Sequence, residues 1–145
     1  MLMKAIDTLH VSAVGPDNIQ PGQTFISTAP DDAPLPPWMS EDHFAEYVAT
    51  FTAGGFKGPV DWYRNLDLNW SLTAFLQDAR IRQPSLFIVG DRDPVRHYAG
   101  AHEATLKDWL TDLRGQHVLP GAGHWLQQER ADEVNRLLLD FLAGL

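Results

Sequence analysis

Two acidic residues and one histidine stand out in this sequence, because each follows a run of strand-forming residues. Asp91 and Asp93 come after the apolar run 85–90, and His124 comes after the glycine-rich turn 121–123. In doubly wound folds, functional groups lie in loops at the carboxyl ends of the strands. A carboxylate there can accept a hydrogen bond from an imidazole Nδ1–H and stabilise the imidazolium as it forms. We therefore predict the acid and base portion of a hydrolase triad.

Asp93 is the predicted acid of this pair, and Asp91 is its competitor. An isolated Asp-x-Asp more often only solvates a loop or caps a helix. Here a catalytic role is favoured, because the order of strand, acidic loop, helix, strand and glycine-flanked histidine is the chain order of α/β-hydrolases. The remaining histidines have no such setting and no metal-ligand spacing on one helical face: His10, His43, His97, His102 and His117. We therefore predict neither a metal nor a cofactor.

Tyr63 is a third candidate for chemistry. A phenol can donate a proton to an oxygen that becomes an alkoxide. The residue lies between Trp62 and Arg64 in a segment of helical character. A tyrosine in such a place more often only packs, and composition does not choose between the two roles.

The elements that must position the acid and the histidine follow from hydrophobic patterning. Four consecutive apolar residues at 86–89 predict a parallel strand buried on both faces. We expect a helix over about 96–113, a second strand at 117–119 and a final helix over about 129–142. That order implies right-handed crossovers and a parallel strand pair. Since two strands leave edges and faces uncovered, we expect part of a larger α/β sheet, or an oligomer.

Upstream, the sequence predicts two further segments. Residues 1–39 hold six of the ten prolines and are expected to be irregular, since each proline removes a backbone donor and fixes φ. Ser40 is a good N-cap for a first helix, and a second helix is expected from about Val60, after a loop. The predicted domains are an irregular proline-rich segment 1–39, a helical segment 40–80 and an α/β part 81–145.

Composition and charge exclude several classes of partner. The 145 residues are 44% hydrophobic and 21% charged, as in ordinary soluble domains. A net charge of −8 argues against nucleic acid and against an anionic membrane surface. The absence of cysteine excludes disulfides and thiolate metal sites. With no signal-peptide pattern and no apolar run of membrane-spanning length, a soluble cytoplasmic protein is expected.

Three segments resemble the epoxide hydrolases of the α/β-hydrolase fold. Residues 55–65, followed by Asn69-Trp70, look like the cap-domain signature of that family. Residues 90–95 resemble its acid loop. Residues 121–125, with Gln128-Glu129 and Glu133-Val134-Asn135, resemble its histidine loop and final helix. The match runs from about Leu35 to the end, and the cap motif is the specific one, since acid and histidine loops recur across hydrolases. The resemblance implies that 81–145 are the carboxy-terminal part of an α/β-hydrolase fold, with a few parallel strands and flanking helices. It implies that 40–80 are a helical cap remnant, the end of the family's cap.

The resemblance also implies an activity, the hydrolysis of an epoxide to a vicinal diol. In this family an aspartate attacks an epoxide carbon while cap tyrosines donate hydrogen bonds to the oxirane oxygen. A water activated by the histidine and acid then hydrolyses the ester intermediate. Tyr63 matches one cap tyrosine, Asp93 the supporting acid and His124 the base. Asp61 stands where Asn is usual and Ala131 where proline is frequent, and neither touches the implied chemistry.

The group that would form the ester is missing from the sequence. The 145 residues contain no His-Gly-x-Pro segment and no Gly-x-Asp-x-Gly or Gly-x-Ser-x-Gly nucleophile elbow. The second cap tyrosine would also precede Met1. We therefore expect a fragment that is inactive alone, with a small-molecule epoxide as substrate. Its expected partner is the missing amino-terminal half or a second copy of itself.

Two alternatives stay open. The first is a non-catalytic oligomeric or binding domain derived from an α/β-hydrolase. The second is another α/β-hydrolase, such as a haloalkane dehalogenase or an esterase. The signature at 62–65 disfavours the second alternative, because a tyrosine aimed at an epoxide oxygen serves neither halide nor acyl chemistry.

Overall fold

A computed structural model describes residues 34–93, 95–96 and 102–145. The chain divides into two compact units. We call Met39–Arg80 the helical unit, and we call the unit that contains Ile81–Leu145 the sheet unit. Most of the proline-rich segment predicted as irregular lies outside the described residues, and 34–39 hold neither helix nor strand.

The helical unit opens with helix α1, Glu41–Gly54, which begins where the sequence predicts. The side chain of Ser40 accepts a hydrogen bond from the His43 backbone N–H at 3.2 Å, which satisfies one of the free donors of the first turn. The helix ends at Gly55, whose φ of 69° suits glycine and whose N–H donates to the Phe51 carbonyl. Both predicted ends of α1 are thus confirmed.

Helix α2, Lys57–Arg64, starts earlier than expected. The loop predicted before Val60 is wrong, because Pro59 is compatible with the first turn of a helix, where its missing N–H has no partner to lose. Stacking of the Phe56 ring on the Phe51 ring, at 4.8 Å between centroids, fixes the connection to α1. Helix α3 spans Leu66–Leu72 and a 3₁₀ turn spans Ala74–Leu76.

The sheet unit is built on two parallel strands, β1 Ile81–Gly90 and β2 Leu110–Leu119. The parallel pairing is confirmed. In the register, the first residue of β1 pairs with the first residue of β2, and the last residue of β1 pairs with the last residue of β2. Both strands are longer than predicted. An irregularity in the register falls next to Pro84, which lacks the N–H that a regular ladder needs.

Helix α4, His102–Trp109, precedes β2. The predicted helical stretch up to residue 113 is wrong, because Leu110–Leu113 pair with β1 instead, and strand pairing overrides the local helical pattern. Arg96 donates to both carboxylate oxygens of Glu103, at 2.5 and 3.2 Å, and ties the turn after β1 to α4. The Glu103 hydrogen bond raises the pKa of Arg96, so this guanidinium stays charged at any working pH.

The last predicted helix is confirmed as α6, Ala131–Ala143. A short helix that the sequence did not predict, α5, Leu126–Glu129, precedes it, and the two are separated at Arg130, whose φ of −136° is not helical. Along α6, Val134 is buried, whereas Leu138 and Leu142 are 42% and 57% exposed. The small buried core of the sheet unit comprises Leu119, Ala122, Leu126 and Val134. It lies directly beneath the loop that carries the histidine. None of the helices within the described ranges has the length and hydropathy needed to cross a lipid bilayer.

Candidate active site

The acid loop begins where β1 ends. Asp93 is almost fully buried, with 8% of its surface exposed. Its Oδ1 atom accepts a hydrogen bond from the Val95 backbone N–H at 2.8 Å, so the carboxylate caps the helical residues 95–96. The capping role that the sequence left open is therefore present, and it holds the carboxylate in place.

The histidine loop begins where β2 ends, at the same edge of the sheet. Gly121 has a φ of 71°, a conformation that favours glycine and turns the chain back towards the acid loop. Ala122 is 1% exposed and packs into the small core, which anchors the turn. The side chain of His124 emerges from this anchored turn with 39% of its surface exposed.

Asp93 and His124 meet across these two loops. The His124 Nδ1 atom lies 3.1 Å from Oδ1 and 3.1 Å from Oδ2 of Asp93. Because an ionised carboxylate only accepts hydrogen bonds, Nδ1 carries the proton and donates it towards Asp93. The neutral imidazole then keeps a lone pair on Nε2, and that nitrogen can take a proton from water.

Asp91 does not reach the imidazole. Its Oδ1 atom accepts from the Gly121 backbone N–H at 2.7 Å, and its own N–H donates to the Leu119 carbonyl at 3.1 Å. The Arg92 N–H donates to the Ala122 carbonyl at 2.9 Å. The first acid of the Asp-x-Asp pair thus fastens the two loops together, while the second acid faces the histidine.

One acidic residue at this site has no role assigned from the sequence. Glu129, in α5, accepts hydrogen bonds from the backbone N–H groups of Gly123 and Trp125, at 2.5 and 2.9 Å. It belongs to the pattern that resembles the family's histidine loop, but its contacts are with the backbone, and the pattern does not show them. The available signal was an acid five residues after the histidine, at the start of a predicted helix.

Tyr63 lies on α2 in the helical unit, whereas Asp93 and His124 belong to the sheet unit. Its side chain is 76% exposed. An open groove of about 660 Å³ is lined by Gly58, Pro59, Trp62, Tyr63 and Leu66. The lining is mostly apolar, so an uncharged organic molecule is the kind of ligand that this groove suits.

Asp61, which stands where the resembled family usually has Asn, has a clear local role. Its carboxylate forms ion pairs with Lys57 and with Arg64, one turn before and one turn after it on α2. Such exposed pairs stabilise a helix only slightly. Throughout the part of the chain that the structure describes, no group of three or more His, Asp or Glu residues could hold a metal ion.

Comparison with known proteins identifies relatives of this chain. No protein-family model matches the chain. The chain is 42% identical over 137 residues to "Epoxide hydrolase A" of Mycobacterium tuberculosis, a match covering 94% of this chain and 40% of the relative. It is 39% identical over 122 residues to "Epoxide hydrolase 1" of Siraitia grosvenorii, covering 81% of this chain and 39% of the relative.

Solved structures agree with the sequence relatives. The crystal structure of Epoxide Hydrolase A from Mycobacterium thermoresistibile has a TM-score of 0.85 and 40% identity, over 99% of this chain and 45% of that one. An epoxide hydrolase from an endophytic Streptomyces has a TM-score of 0.88 and 36% identity, over the same shares. The predicted fold class is confirmed.

The chain spans about two fifths of the length of the curated relatives it matches. The matching portion is their carboxy-terminal part. By sequence and by structure, this chain therefore matches the carboxy-terminal part of epoxide hydrolases of the α/β-hydrolase fold.

Proposed function

We propose that this chain supplies the acid–base pair and a cap tyrosine of an epoxide hydrolase, which converts a small epoxide into a vicinal diol. The observation that carries the proposal is the placement of His124 Nδ1 at 3.1 Å from both oxygens of a buried Asp93. That geometry leaves Nε2 free to activate water, which is the task of the base in ester hydrolysis. The relatives are named epoxide hydrolases, which supports an epoxide as the substrate from which the proposed ester forms.

The proposed reaction has two steps. In the first, a carboxylate nucleophile forms a bond to an epoxide carbon and the C–O bond of the ring breaks, which gives an ester and an alkoxide that gains a proton. In the second, His124 takes a proton from water while the water oxygen bonds to the ester carbonyl carbon. Collapse of that intermediate breaks the ester bond, and the imidazolium returns its proton to the leaving alkoxide oxygen, which releases the diol. The carboxyl group of the nucleophile then gives up the proton that the first step consumed. Asp93 stabilises the imidazolium for as long as His124 holds the second proton.

Tyr63 is the proposed donor to the opening ring. We assign 40–80 to the cap and 81–145 to the hydrolase part. The exposed phenol, on the wall of an apolar groove, supports this role because an epoxide is small, uncharged and needs a donor at its oxygen.

The nucleophile must come from a different polypeptide segment, because the 145 residues hold no nucleophile elbow. We propose that the partner is an amino-terminal piece that carries the elbow and completes the sheet. The helical unit exposes several large apolar side chains that a partner would cover: Trp62 at 78%, Trp70 at 82% and Phe75 at 82%. Exposure on this scale is unusual for a surface that stays in water.

Complementation tests the proposal. The chain is mixed with the part of Epoxide hydrolase A of Mycobacterium tuberculosis that precedes the match, and diol formation from a styrene-type epoxide is measured. We expect no diol from either piece alone and diol from the mixture. Diol from this chain alone would contradict the proposed fragment. Pieces that co-purify without forming diol would instead favour the non-catalytic binding domain.

A further inference from the structure

We infer that Glu129 is a positioning residue for the histidine, because one carboxylate holds the backbone on both sides of His124. The inference rests on the proposed function only in naming His124 as the base. The geometry itself is independent of any reaction, so it can be tested without turnover.

The contacts of Glu129 bracket the histidine. Its Oε2 atom accepts from the Gly123 N–H at 2.5 Å, and its Oε1 atom accepts from the Trp125 N–H at 2.9 Å. Both contacts are partly buried. A hydrogen bond to an ionised acceptor is roughly twice as strong as one between neutral groups, and a buried donor left without a partner is costly. The loop therefore has a strong preference for this conformation.

Only a carboxylate of this reach satisfies both donors. Two equivalent acceptor oxygens are needed, one for each amide, and a glutamine offers a single acceptor with a donor group in place of the second. The short helix α5 sets the distance, since its first turn, which begins after Trp125, brings position 129 back over the loop. Glu129 is thus matched to this loop by charge and by length.

The backbone clamp acts on the imidazole through position. Asp93 holds the imidazole ring at Nδ1. Glu129 fixes the peptide N–H groups of the residues before and after His124. The Trp125 ring meets the His124 ring edge-on at 5.3 Å, so a shift of the Trp125 backbone would also displace the imidazole. Displacement of a catalytic group by about 1 Å is enough to cost roughly 100-fold in rate.

Nuclear magnetic resonance on the 145-residue chain tests the inference. The ¹⁵N signals of the His124 ring report its tautomer, and loss of these signals in H124Q assigns them. We expect the wild-type ring to be held as the Nδ1–H tautomer. In Glu129→Gln we expect a mixture of tautomers, together with backbone hydrogen exchange at Gly123 and Trp125 that is about tenfold faster or more.

Two further variants make the result decisive. Glu133→Gln removes a matched carboxylate whose contact is with Arg136, at 3.9 Å, and it should leave the tautomer and both exchange rates unchanged. Glu129→Asp keeps the charge on a shorter side chain and should restore part of the protection. An unchanged tautomer and unchanged exchange rates in E129Q would overturn the inference. Uniformly faster exchange across β1, β2 and α6 would also overturn it, since that pattern marks general destabilisation.

The complementation assay supplies a separate readout. If the mixture forms diol, E129Q should lower kcat while kcat/KM stays close to wild type, because Glu129 acts on the base that hydrolyses the ester and not on formation of the ester. If the mixture forms no diol, the proposed function fails, while the resonance result still decides the role of Glu129.

Discussion

Gly90 lies against Ala122 so closely that a Cβ atom at position 90 would fall 2.3 Å from the Ala122 carbonyl oxygen. The same Cβ would lie 2.4 Å from the Gly123 carbonyl oxygen. Gly90 is the last residue of β1, and the backbone bond from Arg92 to Ala122 forms two residues later. The acid loop and the histidine loop can therefore meet only because this strand ends in glycine.

Replacing Gly90 with alanine should push the two loops apart. We expect Gly90→Ala to lower the free energy of unfolding by about 3 kcal/mol, since the clash is with backbone that cannot rotate away. Urea denaturation measures the change. Gly54→Ala is the matched control, because a Cβ there meets nothing within 4 Å and alanine favours the helix by up to about 1 kcal/mol. Equal stability of G90A and wild type would contradict the close approach.

The two acids of the acid loop should respond differently to neutralisation. Asp93→Asn weakens the acceptors for the Val95 N–H and for the imidazole. We expect the free energy of unfolding to fall by about 2 kcal/mol, and diol formation by the complemented enzyme to fall by about 100-fold or more. Asp91→Asn weakens one backbone contact. We therefore expect a loss of about 1 kcal/mol in the free energy of unfolding and a fall of less than about tenfold in the rate of diol formation. Urea denaturation and initial rates measure both. Equal rates for the two variants would rule out the assigned roles.

Packing beneath the histidine loop can be tested on α6. Val134 is 5% exposed and belongs to the small core with Ala122. We expect Val134→Ala to destabilise the chain by about 2 kcal/mol, from lost burial and the cavity left behind. Leu139, on the same helix, is 66% exposed, and Leu139→Ala should change stability by less than about 0.5 kcal/mol. Thermal or urea unfolding gives both values, and a reversed order would refute the assigned core.

Removal of one hydroxyl tests the role of Tyr63. Because the side chain is 76% exposed, Tyr63→Phe should change stability by less than about 0.5 kcal/mol. If the phenol donates to the epoxide oxygen, diol formation by the complemented enzyme should fall by about 100-fold. Tyr47→Phe, on α1, is the control and should leave the rate unchanged. A Y63F rate equal to wild type would remove the tyrosine from the proposed chemistry.

The parts of the fold that the sequence predicts correctly are those decided by local chemistry. Ser40 and Gly55 mark the ends of α1 through capping and through a positive φ, and both features depend on the residue itself. The run Leu86–Val89 predicts a parallel strand because four apolar residues in succession suit a sheet covered on both faces.

The errors lie where a partner element decides the outcome. Residues 110–113 have a helical pattern, but pairing with β1 draws them into a strand. The short helix α5, Leu126–Glu129, is absent from the prediction, since four residues carry no hydrophobic period of their own. The contacts of Asp91 and Glu129 with backbone amides were invisible for the same reason, since their partners lie in a loop whose shape the sequence does not specify.

The most direct measurement of the central claim is the mass of the supplied amino-terminal piece during turnover. If His124 activates the water that hydrolyses the ester, His124→Gln should stall the complemented enzyme after the first step. Mass spectrometry should then find the amino-terminal piece heavier by the mass of one epoxide, while the wild-type mixture releases diol without accumulating that adduct. Diol release by H124Q at the wild-type rate, with no adduct, would contradict the claim that this chain provides the base.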